Sequence, residues 1–108
     1  MKNSVSAPKN LSSEAKSLWR KLAGEYSIDD EGGRLILATA CESFDRMRQA
    51  QAQIRKDGLV QVDRFGQPKP HPAAVIERDS RAGMLQALKA LNLDVEPLRD
   101  RSGRPGGS

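Results

Sequence analysis

Apolar side chains recur at helical spacing in three stretches of this chain, with one short stretch at strand spacing between the second and third. Ala15, Leu18, Trp19, Leu22 and Tyr26 lie 3 or 4 residues apart and predict a helix over about 12–26 with one buried stripe. Ser12 is the expected N-cap, its hydroxyl accepting from an unpaired backbone N–H, and Glu14 falls in the first turn where the helix dipole favours an anion. After a turn at 27–30, Asp29 or Asp30 is placed to cap a second helix over about 30–57, with Glu31 in its first turn. Gly32 and Gly33 weaken that turn. Leu37, Ala40, Phe44, Met47, Gln51 and Ile54 alternate spacings of 3 and 4, a heptad-like seam that reads as core or as an oligomer contact. Such a helix is about 42 Å long. Leu35 and Ile36 lie off the seam, whereas 46–53 is polar on most sides, so the first half is expected to pack and the second half to project. Gly58 is placed to end the helix in a left-handed conformation.

The short run Leu59-Val60-Gln61-Val62, the turn Asp63-Arg64-Phe65-Gly66 and then Pro68 and Pro70 predict a small hairpin or extended loop over about 59–70. Pro72 suits the first turn of a third helix, over about 72–91. Ala73, Ile76, Ser80, Gly83, Met84, Ala87, Leu88 and Leu91 share one of its faces, and the small residues at 80, 83 and 87 permit close approach of another helix. Asn92 fits the position just past the helix end, and Leu93 and Val95 can fold back over the core. The fold class is therefore mainly α, with three principal helices. One domain over 11–98 is expected, with a flexible arm at 1–10 and a flexible basic Gly/Pro-rich tail at 99–108.

Charge adds to this picture. Of 18 basic and 14 acidic residues, the net +4 falls entirely on the ends, +2 on 1–10 and +2 on 99–108, leaving the middle neutral. A neutral body with cationic ends suits a polyanion, and equally an ordinary solubilising tail. Lys9, Lys16, Arg20, Lys21, Arg99, Arg101 and Arg104 are the candidate phosphate contacts, with a further basic face at Arg46, Arg48, Arg55 and Lys56. The first two helices also permit a helix-turn-helix reading. Glu42/Arg46 and Glu77/Arg81 are expected i,i+4 surface pairs. The four aromatics make a lean core, which favours further burial between subunits. No apolar run reaches membrane-spanning length and no secretory signal opens the chain, so a reducing cytoplasm is the expected compartment.

Catalytic chemistry has little to work with. His71, the one histidine, lies between prolines at a helix entrance and suits a cap or turn; Cys41, the one cysteine, sits beside the apolar seam as a small hydrophobe. There is no phosphate-binding GxxxxGK[ST] loop. Asp29, Asp30 and Glu31 are explained by capping rather than by a metal. No catalytic residue, metal or cofactor is expected.

Several features taken in order carry a resemblance: Leu11-Ser12, Trp19 seven residues on, Gly58 after the long helix, the Gly66 turn, Pro72, and Leu91-Asn92-Leu93 followed by Pro97. Over roughly 8–101 the chain resembles the small terminase subunit of tailed bacteriophages, in the P27-like family. The resemblance implies a helical, non-catalytic DNA-recognition and regulatory subunit of the packaging motor. Its implied partners are double-stranded viral DNA, the large ATPase/nuclease subunit and further copies of itself in a ring, in the cytoplasm of a bacterial host. Relatives often carry a longer basic N-terminal arm, whereas residues 1–10 here supply only Lys2 and Lys9. A helical DNA-binding regulator unrelated to packaging is the alternative.

Overall fold

The structure, a computed structural model, describes residues 6–93. It contains helix α1 (Ser13–Glu25), helix α2 (Glu31–Asp57), strands β1 (Val60–Val62) and β2 (Pro68–Pro70), and helix α3 (Pro72–Ala90). The mainly helical architecture with one small hairpin is the one the sequence pattern predicts, with boundaries within a residue or two.

Each helix begins on the cap its sequence supplies. Ser12 Oγ accepts from the Ala15 N–H at 3.0 Å. It also donates to Asp45, whose other carboxylate oxygen takes the Ser12 N–H at 2.8 Å. The start of α1 is thereby tied to the middle of α2 and given a negative charge where its dipole is positive. Asp30, rather than Asp29, caps α2 by accepting from the Gly33 N–H at 2.9 Å. His71 caps α3, with Pro72 at the first helical position, where its missing N–H costs nothing.

At 27 residues α2 is about 40 Å long and serves as the spine. The contacts Asp57–His71, Gln51–Glu77 and Ser43–Gly83 step in opposite directions along the two chains, so α3 lies antiparallel along most of α2. A Cβ built on Gly83 would meet Ser43 Oγ at 3.5 Å, which is the close helix approach that the small residues of α3 allow. α1 runs back along the N-terminal half of α2, its start meeting Asp45 and Arg48 and its end leading through 26–30 into Glu31. The core gathers Leu11, Ala15, Trp19 and Leu22 with Ile28, Leu37, Ala40 and Cys41 of the turn and spine, and Ala87 and Leu88 of α3.

Four expectations need correction. The second half of α2 does not project: Met47 and Ala50 are buried, and Gln51 donates to Glu77 of α3. Alanine and glutamine carry little hydrophobic signal, yet their small or polar surfaces suit a helix whose first turn is rich in Ala and Pro. Ile76, placed on the buried face of α3, is about half exposed. Gly58 has the positive φ expected, 90°, but its ψ of 149° is extended rather than helical, so it feeds the chain into β1. Packing starts ahead of residue 11, because Ala7 is buried and Asn10 donates to Glu42 at 3.3 Å. Asn92, by contrast, takes the left-handed conformation expected past the end of α3, with φ 59°. Arg99, Arg101, Arg104 and the tail at 99–108 lie outside the described residues.

Candidate nucleic-acid interface

The basic residues separate into those engaged within the fold and those left facing solvent. Arg48 is engaged. Its guanidinium grips Glu14 through two nitrogens, at 2.9 and 3.4 Å, donates to Gln51 at 3.1 Å, and lies 5.7 Å from the centre of the Phe44 ring. The Glu14 carboxylate raises the Arg48 pKa above its ordinary value. This pair links α1 to α2 across 34 residues and removes Arg48 from the candidate phosphate contacts. Arg81 is likewise paired with Glu77, as the i,i+4 spacing predicts. Glu42 turns instead to Asn10, and Arg46 stands exposed between two open grooves of about 400 and 350 Å³.

On α1, Arg20 and Lys21 are exposed and Lys16 is half-buried, all three off the stripe of Ala15, Trp19 and Leu22. Lys9 is exposed just ahead of them. Among the described residues none of these four forms an ion pair. α1 therefore presents a cationic face that the fold holds in place without neutralising it. That is what phosphate contact requires, because phosphate recognition needs positive charge and little else.

The turn into α2 has the opposite character. Glu25, Asp29, Asp30 and Glu31 crowd the end of α1 and the start of α2, with Arg34 the nearest cation in sequence. A helix-turn-helix would set the N-terminus of α2 against DNA. Here that N-terminus is acidic, and the helix behind it is buried at Gly33, Leu37, Ala40 and Cys41. The acidic start and buried body of α2 disfavour it as a recognition helix.

The seam residues are placed as follows. Leu37 is fully buried, Met47 is buried, and Phe44, Gln51 and Ile54 are half-buried along the spine. Cys41 is wholly buried, and burial, with Asp45 and Glu42 nearby, pushes its thiol up to about 11. It stays protonated at neutral pH and is a poor nucleophile. His71 is committed to backbone and to Asp57. Among the described residues no group of three or more His, Cys, Asp or Glu is gathered to hold a metal ion.

Residues 15–97 match the family model for the phage terminase, small subunit. That is most of the chain, and the protein belongs to the phage terminase small-subunit family. No curated protein and no solved structure matches it. Among the described residues no helix is long and apolar enough to cross a membrane.

Proposed function

We propose that this protein is the DNA-recognition and regulatory subunit of a tailed-phage packaging motor. It is non-catalytic itself and acts with the large ATPase/nuclease subunit in the cytoplasm of the bacterial host. The observation that carries this reading is the family match across residues 15–97. The unpaired cationic face of α1 supports it, because a packaging subunit must hold duplex DNA and this face offers phosphate contacts at Lys9, Lys16, Arg20 and Lys21. Arg99, Arg101 and Arg104 add further cationic positions in the sequence beyond the described residues.

The subunit works as a homo-oligomer, most simply a ring as in the P27-like relatives the sequence resembles. With Leu37 and Met47 closed inside the subunit, the ring contact draws on other surface, such as the exposed Leu35 and Leu85. The direct test is reconstitution. A large terminase subunit from the same phage should co-purify with the protein, and its ATPase rate should change several-fold when protein and DNA are added together. Absence of both effects, with each protein folded, would overturn the packaging role.

A further inference from the structure

The hairpin has two unlike edges. The His71 N–H donates to the Leu59 carbonyl at 2.7 Å and the Asp63 N–H donates to the Gln67 carbonyl at 2.9 Å. The register between them pairs Val60 with Pro70, Gln61 with Lys69 and Val62 with Pro68. Hydrogen-bonded and non-hydrogen-bonded pairs alternate along an antiparallel ladder. Leu59, Gln61 and Asp63 therefore turn their backbone groups inward to the partner strand, and Val60 and Val62 turn theirs outward. On β2 the outward positions are Pro68 and Pro70, which have no N–H. One edge is deprived of donors; the other presents a complete set.

Apart from its shortness, the open edge lacks the usual protection. Exposed edge strands are commonly guarded by charge, proline or a bulge, yet 59–62 is Leu-Val-Gln-Val, without a charge. Val60 and Val62 are 59% and 69% exposed. They share one face with Pro68 and Pro70, and an apolar groove of about 300 Å³ lies along the hairpin. A lone two-stranded sheet is marginal in water, and further strands stabilise it.

We propose that the β1 edge pairs with β1 of a second copy of this chain, antiparallel about a two-fold axis at Gln61, to make a four-stranded sheet. The segment Val60-Gln61-Val62 reads the same in both directions, so the pairing is self-complementary. Val60 of each copy meets Val62 of the other as a hydrogen-bonded pair, and the axis yields four backbone bonds from the groups that point outward. Charge agrees with this register. A two-fold contact sets each axial residue against itself, which penalises any charge there, and the axial residue is the neutral Gln61. Strand addition to β2, the step that would continue the sheet into an open array, is weakened by its prolines. The contact is closed by symmetry and cannot propagate a ring, which needs a heterologous contact. It joins chains or whole rings in pairs. Three residues per strand make an interface well below the standard size, so a single contact is weak and multiple copies strengthen it by avidity.

Gln61→Cys in the full chain tests the axis. A non-hydrogen-bonded antiparallel pair holds its Cα atoms about 4.5 Å apart, within the range a disulfide spans. Under mild oxidation at about 100 µM, Gln61→Cys should form a covalent dimer at least ten-fold faster than Thr39→Cys, an exposed position on α2. Adding Val62→Pro to Gln61→Cys removes an outward N–H and leaves the hairpin's own ladder bonds in place. It should cut the rate at least five-fold with helical circular dichroism unchanged. Equal rates at positions 61 and 39, or no effect of Val62→Pro, would overturn the pairing. So would cross-linking of Gln61→Cys to the large subunit in place of a second copy. The readout is independent of the packaging role: DNA and large-subunit binding can fail while the dimer forms, and the reverse.

Discussion

His71 is the residue on which three elements meet. Its ring is buried at the entrance to α3, with Nδ1 accepting from the Ala73 N–H at 2.9 Å. An accepting Nδ1 places the ring hydrogen on Nε2, which then donates to the Asp57 carboxylate at 2.9 Å. Its backbone N–H closes the hairpin on Leu59. One side chain thus joins the end of α2 to the start of α3. His71→Ala removes both ring bonds and should destabilise the fold by about 1–3 kcal/mol, measured by urea unfolding at pH 7. The Asp57 carboxyl is held below its ordinary value by the hydrogen bond from His71 and then by that from Gln53. A carboxylate with a lowered folded pKa adds stability above its ordinary value of about 3.9 and loses it as pH falls through the folded value. Asp57→Asn should therefore destabilise the protein at pH 7, and its difference from wild type should shrink below about pH 4. A difference independent of pH would mean that the carboxylate charge plays no part.

Among the elements, two glycines in helices give opposite predictions. A Cβ on Gly24, in the last turn of α1, meets nothing within 4 Å, so Gly24→Ala should stabilise by about 0.5–1 kcal/mol through helix propensity alone. A Cβ on Gly33 would lie 2.7 Å from Asp30 Oδ1 and 2.9 Å from Ile28 Cγ2. Gly33→Ala should displace the α2 cap and cost about 1–2 kcal/mol net, against its better propensity. Thermal melts of the two variants moving in opposite directions would confirm the contrast. From the sequence Gly33 reads only as a weak helix former, because propensity is local and the turn that folds over Gly33 is not. The same distinction separates most of what was legible from what was not. Helix extents, Ser12, Pro72 and Asn92 are written in short-range signals, and so is the cationic face of α1, whose residues fall off an apolar stripe. Commitment of Arg48 to Glu14 was not legible, because its partner is 34 residues away. Burial of α2 around Ala50 was hidden because alanine and glutamine carry little hydrophobic pattern. Val60 and Val62 lie in a run that reads as a short strand, but their outward backbone depends on register, which three residues do not specify.

At the scale of the whole molecule, the proposed DNA role turns on which positive charge would meet the duplex. The middle of the chain is neutral overall; Glu25, Asp29, Asp30 and Glu31 cluster at the α1–α2 turn, while Lys16, Arg20 and Lys21 form no ion pair among the described residues. Arg99, Arg101 and Arg104 follow the family-matched segment, which ends at 97, so their removal leaves the folded body's described contacts intact. Each chain offers only a few phosphate contacts, so binding should be weak for one subunit and strong for an assembly, in which the same few charges are repeated. Binding of this kind weakens steeply between about 50 and 200 mM salt, with a slope set by the number of phosphates neutralised. Deleting 99–108 should weaken DNA binding and flatten that slope, with helicity unchanged by circular dichroism. Replacing Lys16, Arg20 and Lys21 together by Gln should do the same through the folded face. On the proposed reading both sets of charges act on one polyanion, so the combined variant should lose more of the slope than either alone. An unchanged affinity and slope on deleting 99–108 would exclude the tail and leave the α1 face as the principal contact. The converse result would make the tail the main anchor and α1 a solvated surface.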